Sequence, residues 1–261
     1  MRQSSLKFLV MILFITSVVT SVSLHVYAQQ GVVEEKARIR SPISNIVLQQ
    51  RYPETFVLSG AQTENKGALT FDDGPDPRFT PFILDILKEY HVKATFFLMG
   101  ARAEKYPDIV KRIVDEGHVV GNHTYSHPNL VKEANIETLE REVTNTEESL
   151  AKLINYRTKL FRAPYGFLDN ELVEKLKGMD YTVVGWSVDS LDWQESPPEV
   201  IAHNVLSHFQ PGAIVLMHDG AESDGDRTNT IKALRQIISA LKKQGIEFET
   251  VPSLLNIPYQ K

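Results

Sequence analysis

The chain has 261 residues, 42% hydrophobic and 23% charged, with 28 basic against 33 acidic side chains and a formal charge of −5. Such proportions belong to a globular protein and exclude a collagenous, a wholly disordered or a strongly basic nucleic-acid-binding chain. Cysteine is absent, which removes disulfides, thiolate metal sites, a catalytic thiol and a lipid-modified cysteine, and leaves His and carboxylates as ligands for any metal.

Arg2 and Lys7 precede or flank the start of an uncharged apolar run from Phe8 to Leu24, followed by Val26-Tyr27-Ala28. That is the pattern of an export signal, with Ala28 suited to cleavage and the run nearly long enough for retention as a membrane anchor. Residues 1–28 are therefore read as leader or anchor, and the protein is expected outside the cell, secreted or on the cell wall or the outer face of the cell membrane. Membrane association is expected only through this segment. Loss of Arg2 and Lys7 leaves 26 basic and 33 acidic residues, a mature charge of −7. Residues 29–65 are polar and carry the breakers Pro42 and Pro53, which reads as a linker, although Ile46-Val47-Leu48 and Phe56-Val57-Leu58 could dock on a neighbouring domain.

From Lys66 the pattern alternates short apolar runs with longer amphipathic ones, the signature of strand and helix units around a parallel sheet. Seven strands are predicted, over 67–71, 93–98, 118–121, 160–162, 182–186, 213–217 and 246–248. Helices are predicted between them over 81–90, 106–116, 136–154, 170–177, 198–207 and 228–244, with Gly117, Gly178 and Gly245 as terminators. One domain over 66–255 and a short tail over 256–261 result. Both a doubly wound open sheet and a barrel satisfy this alternation. The polar residues favour a barrel: Asp72 and Asp73, His123 and His127, Arg162, Asp189 and Asp192, and His218 and Asp219 all lie at or just past C-terminal strand ends, which a barrel gathers at one mouth.

Asp72-Asp73-Gly74-Pro75 places two adjacent carboxylates before a turn; a cation on one would relieve their repulsion and leave the other free as a base. His123 and His127 are four apart, a spacing that can aim two imidazoles at one ion from a helical turn. Two imidazoles and one carboxylate suit a borderline divalent ion with positions left open, Zn²⁺ first, with Co²⁺ or another transition ion also accommodated. Such an ion would polarise an amide carbonyl and acidify water.

Together with Arg162-Ala163-Pro164-Tyr165, Asp189-Ser190-Leu191-Asp192-Trp193 and Leu216-Met217-His218-Asp219, these segments resemble the five ordered motifs of the polysaccharide deacetylase family, the NodB-homology or carbohydrate esterase family 4 domain. The resemblance spans roughly residues 66–251. It implies an α/β fold, a distorted (β/α) barrel of about seven parallel strands, and a metal-dependent hydrolase that removes N-acetyl groups from N-acetylglucosamine residues of peptidoglycan or a chitin-like glycan. It further implies Asp73, His123 and His127 as metal ligands, Asp72 as catalytic base oriented by Arg162, and His218 as general acid paired with Asp192. Trp193 and Leu216 correspond to walls of the acetyl pocket, and Tyr165 to the backbone N–H that steadies the oxyanion. An acetylated xylan, a small acetylated amine or a non-catalytic glycan-binding module are the alternatives. A monomer with a glycan partner and no nucleic acid is expected. Asp189 and Asp219 read as caps of a turn and a loop. His25, His91, His118, His203 and His208 read as leader, surface or core residues. Substrate choice is expected in the loops 129–135, 191–198 and 221–229.

Overall fold

The computed structural model describes residues 41–132 and 135–261. The leader expected over 1–28, and the first part of the expected linker, lie outside these residues. Among the described residues no helix is long and apolar enough to cross a membrane.

Among the described residues nine strands form one sheet: β1 (Phe56–Val57), β2 (Lys66–Asp72), β3 (Thr95–Leu98), β4 (Val119–Asn122), β5 (Leu160–Phe161), β6 (Thr182–Val184), β7 (Val188–Asp189), β8 (Ala213–His218) and β9 (Glu247–Phe248). Their order is β1-β6-β5-β4-β3-β2-β8-β7, with β9 beside β2, and every pairing is parallel. The path has two ends, so the barrel is a distorted, open one. The helices Thr80–Glu89, Pro107–Asp115, Ile136–Ile154, Asn170–Gly178, Pro198–His208 and Thr228–Lys243 match the six predicted from periodicity.

The central strand β2 is buried from Gly67 to Asp72, as expected of a strand covered on both faces. Strand alternation then sorts its residues. Leu69 and Phe71 face the helices and pack with Ile83, Leu87, Val215 and Met217. Ala68 faces inward with Phe97, Leu160, Val184 and Ile214. The same parity carries upward, because Ala68 pairs with Ile214, Thr70 with Leu216 and Asp72 with His218. The inner face therefore passes from an apolar floor to a polar rim within two residue pairs.

The expected linker contributes more than a spacer. Asn45–Arg51 is helical, and Leu48, Phe56 and Leu58 are buried. Leu48 and Phe56 join a cluster with Phe161, Leu172 and Val183, so this segment completes the side of the sheet that six predicted helices leave uncovered. Beyond β1, Ser59 bridges to Ala213 and the Gly60 N–H donates to the Gly212 carbonyl at 2.8 Å, which spans the gap between β6 and β8. The close approach requires Gly212 in the left-handed region, at φ 84°, with Gly60 O where a side chain would lie. The expected tail is also docked: the Lys159 N–H donates to the Tyr259 carbonyl at 2.8 Å, Thr158 bridges to Gln260, and the Lys261 ammonium pairs with Glu147.

Candidate active site

Asp72 and Asp73 end β2, and alternation sends them to different tasks. The Asp72 carboxylate is buried on the inner face, where Oδ1 accepts from Arg162 Nη1 at 2.8 Å. Asp73 takes a left-handed backbone, φ 73°, before a cis Gly74-Pro75 bond. Its Oδ1 lies 3.3 Å from His123 Nε2 and 3.2 Å from His127 Nε2. The three donor atoms lie within 4.8 Å of one another. Asp73 Oδ1 is also buried with no hydrogen-bond partner, which a divalent ion between these donors would supply. Two imidazole nitrogens and a carboxylate oxygen thus fit a borderline divalent ion.

The electrostatics agree with that fit. Burial, and then the charge of His123, push His127 down to about 4, so its imidazole stays neutral. His123 is raised despite burial, because Asp72 and Asp73 face it. A proton on His123 and a divalent ion are therefore competing ways to neutralise the same two carboxylates. His123 Nδ1 lies 2.8 Å from the Arg162 carbonyl, which can only accept. Nδ1 therefore carries the hydrogen, and the Nε2 lone pair faces Asp73.

The two histidines do not come from a helical turn. Residues 123–128 form a loop with left-handed Thr124 and His127, at φ 64° and 61°. The half-buried geometry is fixed from outside: Glu142 Oε2 accepts from the Tyr125 and Ser126 N–H groups at 2.9 and 2.8 Å, and Oε1 from Ser126 Oγ at 3.0 Å.

On β8, His218 is the backbone partner of Asp72. Its Nδ1 lies 2.7 Å from Asp192 Oδ1, and Asp192 Oδ2 accepts from the His218 N–H at 2.9 Å and from Thr230 Oγ1 at 3.0 Å. Burial opposes the imidazolium, yet Asp192, with Asp73 and Asp72 behind it, raises His218 to about 9. Leu216 sits one inward position below His218 and is buried. Tyr165 rests its ring against His127, centroids 4.7 Å apart, and is 57% exposed. Trp193 follows Asp192 and is 51% exposed, with a side-chain hydrogen bond to Asp189. Asp73, His123, His127, Asp72 and Arg162 thus form one contiguous group, and His218 with Asp192 forms a second beside it.

Residues 59–184 match the polysaccharide deacetylase family model. A peptidoglycan-N-acetylglucosamine deacetylase of Bacillus cereus is 46% identical over 200 residues, covering 76% of this chain and 71% of that protein. The chain belongs to the polysaccharide deacetylase family. A chitooligosaccharide deacetylase of Azorhizobium caulinodans is 35% identical over 201 residues, 73% of this chain and 95% of its own. Among solved structures, a peptidoglycan N-acetylglucosamine deacetylase in complex with 4-naphthalen-1-yl-N-oxidanyl-benzamide superposes with a TM-score of 0.75 at 44% identity, covering 78% of this chain and 94% of that one.

Several residues that shape this deacetylase's site escape the motif reading. Thr70 Oγ1 donates to the Val215 carbonyl at 2.6 Å and accepts from Arg162 Nη1 at 2.8 Å; its inward parity with Asp72 was the available signal. Glu142 is a buried carboxylate on the apolar face of its helix, beside Leu139 and Val143, which was a signal too. Asp189 caps its turn as expected, accepting from the Leu191 N–H at 2.9 Å. Asp219 does not cap a loop. Its carboxylate is fully buried under Gly74, accepts from Thr80 Oγ1 at 2.6 Å, and is raised to about 7 by burial, with Asp73 and Asp72 adding to the effect. His118 is a core residue, its Nδ1 accepting from the Ala94 N–H at 3.1 Å.

Because Glu142 alone gathers three donors of the histidine loop, Glu142→Ala is expected to weaken divalent-ion binding by about 10- to 100-fold, the usual cost of removing a group that orients metal ligands. Chelator competition measures this, and an unchanged affinity would mean that the loop holds its shape without Glu142.

Proposed function

We propose that this deacetylase hydrolyses the N-acetyl group of N-acetylglucosamine residues in peptidoglycan or a chitin-like glycan, with Zn²⁺ held by Asp73, His123 and His127, and releases acetate. The observation that carries the reading is the meeting of this ligand set with an arginine-held carboxylate, Asp72, on one side and a carboxylate-held imidazole, His218, on the strand beside it. The greater identity to the peptidoglycan enzyme than to the chitooligosaccharide enzyme supports peptidoglycan as the first substrate to test.

When bound, the ion supplies Lewis acidity toward the acetyl carbonyl and toward water. Asp72, aimed by its hydrogen bond from Arg162, takes the proton from the attacking water. The backbone N–H at Tyr165 donates to the developing oxyanion, a contribution of about 3 kcal/mol where single donors of this kind have been removed. His218, cationic beside Asp192, gives its proton to the departing amine. Leu216 and Trp193 enclose the acetyl methyl.

Export is part of the proposal, supported by Arg2, Lys7 and the apolar run that ends before Ala28. A product that begins at Gln29 in the medium, read by mass spectrometry, would support secretion; an intact N-terminus in the membrane fraction would support the anchor.

Acetate release from peptidoglycan and from N-acetylglucosamine oligomers should vanish on chelation, return with Zn²⁺ or Co²⁺, and be lost in Asp72→Asn. Release that persists in Asp72→Asn would remove Asp72 from the role of base. The proton on His218 sets a second expectation. Its pKa is raised from 6.5 to about 9, so the charged pair with Asp192 contributes its full stability below 6.5 and loses it as pH rises through 9. The rate is expected to fall over the same alkaline range, and Asp192→Asn should move that fall to lower pH; a pH–rate profile indifferent to Asp192→Asn would contradict the pairing.

A further inference from the structure

The segment Ala163-Pro164-Tyr165-Gly166-Phe167-Leu168 carries no charge and displays two large rings to solvent. Phe167 is 36% exposed, and its ring lies 6.0 Å from that of Tyr165, tilted by 30°, so the two make one nearly continuous face. Tyr165 in turn packs its ring on the ligand His127. The face therefore starts at the metal site and leads away from it.

This display is held in place by the backbone. Tyr165 and Gly166 are left-handed, at φ 60° and 68°, and the N–H groups of Gly166 and Phe167 donate back to Ala163 and Pro164 at 3.0 and 3.2 Å. A side chain at Gly166 would come within 2.5 Å of Trp186, so the turn sits directly on that indole. Trp186 in turn faces the Arg162 guanidinium, 5.8 Å from the indole ring. On the far side Leu168 is buried, and its carbonyl accepts from the Ile43 N–H at 2.9 Å. Both ends of the turn are anchored, and the rings cannot fold back into the core. A left-handed non-glycine residue beside a functional site is strain that the surrounding structure must hold.

We infer that Phe167 is a stacking platform for a sugar further along the glycan chain than the one being deacetylated, which extends the binding cleft beyond the Tyr165 ring. The inference rests on the proposed glycan substrate. A pyranose presents C–H groups on one face, which match the negative face of an aromatic ring, and binding clefts commonly combine such rings with few polar groups. An uncharged turn suits a neutral sugar face better than an ionic partner. Two rings are also far too little surface for a stable protein interface, which buries roughly 800 Å² per partner.

The test compares N-acetylglucosamine oligomers of two and of five units on the metal-loaded protein. Wild type should favour the pentamer in kcat/KM. Phe167→Ala should lose about tenfold of that advantage, mainly through KM, the scale of one aromatic contact, while the dimer rate stays unchanged. Phe167→Leu preserves apolar bulk without a flat ring and should lose the advantage as well, whereas Phe167→Tyr should restore it. No length preference in wild type, or a full preference in Phe167→Leu, would overturn the platform while leaving the deacetylase reading intact. Should wild type release no acetate from any oligomer, calorimetric titration of the pentamer separates the two readings: binding weakened in Phe167→Leu supports the platform without the activity, and binding equal in both proteins overturns it.

Discussion

A buried guanidinium organises this molecule. Arg162 is nearly inaccessible to solvent, and a charge so placed is tolerated only when its donors are met. Nε donates to the Val184 carbonyl at 3.0 Å, Nη2 to the Gly185 carbonyl at 3.0 Å, and Nη1 to Thr70 Oγ1 and Asp72 Oδ1, each at 2.8 Å. Below it lies the Phe97 ring, 4.2 Å from the guanidinium carbon. Thr70 relays the contact to β8 through Val215, and the Arg162 carbonyl orients His123. One side chain just past the end of β5 thus ties β2, β6, β8 and the histidine loop to a common geometry. Removing either Asp72 or Arg162 would leave the other without its buried ionic partner, so the proposed base and the fold share one interaction.

Above that guanidinium the site holds more carboxylate than a low-dielectric interior tolerates without cations. Asp72, Asp73, Asp192 and Asp219 are all close enough to influence one another or His218. Each has a separate remedy. Arg162 answers Asp72, His218 answers Asp192, and Asp219 is pushed up toward neutrality. Asp73 has only imidazoles to answer it, and despite burial His123, and then the charge of His218, hold its carboxyl well below the usual range. A divalent ion resolves the remaining imbalance more completely than a proton shared with His123. The same crowding that makes an unpartnered Asp73 oxygen costly is one that a multivalent cation would relieve.

The parts of this structure that periodicity controls were legible in the sequence, and the parts that distant packing controls were not. The helix Ile136–Ile154 has the expected bounds, and β2, β3 and β8 lie within a few residues of expectation, because each buries a long regular face. β1 and β7 have two residues each, too few for a period, and Pro42 and Pro53 made the first look like linker. Chemistry-bearing residues were legible as types at strand ends. The form of the histidine loop was not, since it depends on Glu142, which lies 16 and 17 positions further along the chain from its partners Ser126 and Tyr125. Nor was Asp219, whose burial depends on the space left by Gly74 in the turn just past β2.

The loop expected to carry specificity, 221–229, illustrates how rigid the rim is. Arg78 donates to Asp76 and also to the carbonyls of Ala221 and Glu222 at 3.1 and 3.0 Å, and of Ser223 and Gly225, both at 3.3 Å. Arg102 adds a bond to the Ala221 carbonyl at 2.6 Å. From the other side Glu195, just past Trp193, accepts from the Asp226 N–H at 2.9 Å. A loop bonded along its own backbone from two directions has little freedom to close over a ligand. The Tyr165–Phe167 turn, beside His127, is likewise seated, on Trp186. Ordering either rim on binding would cost conformational entropy, and here that cost is met during folding. A glycan of the proposed kind, bound and released at each deacetylation, would be served by such a prebuilt rim, in which recognition comes from the match of fixed surfaces rather than from a lid.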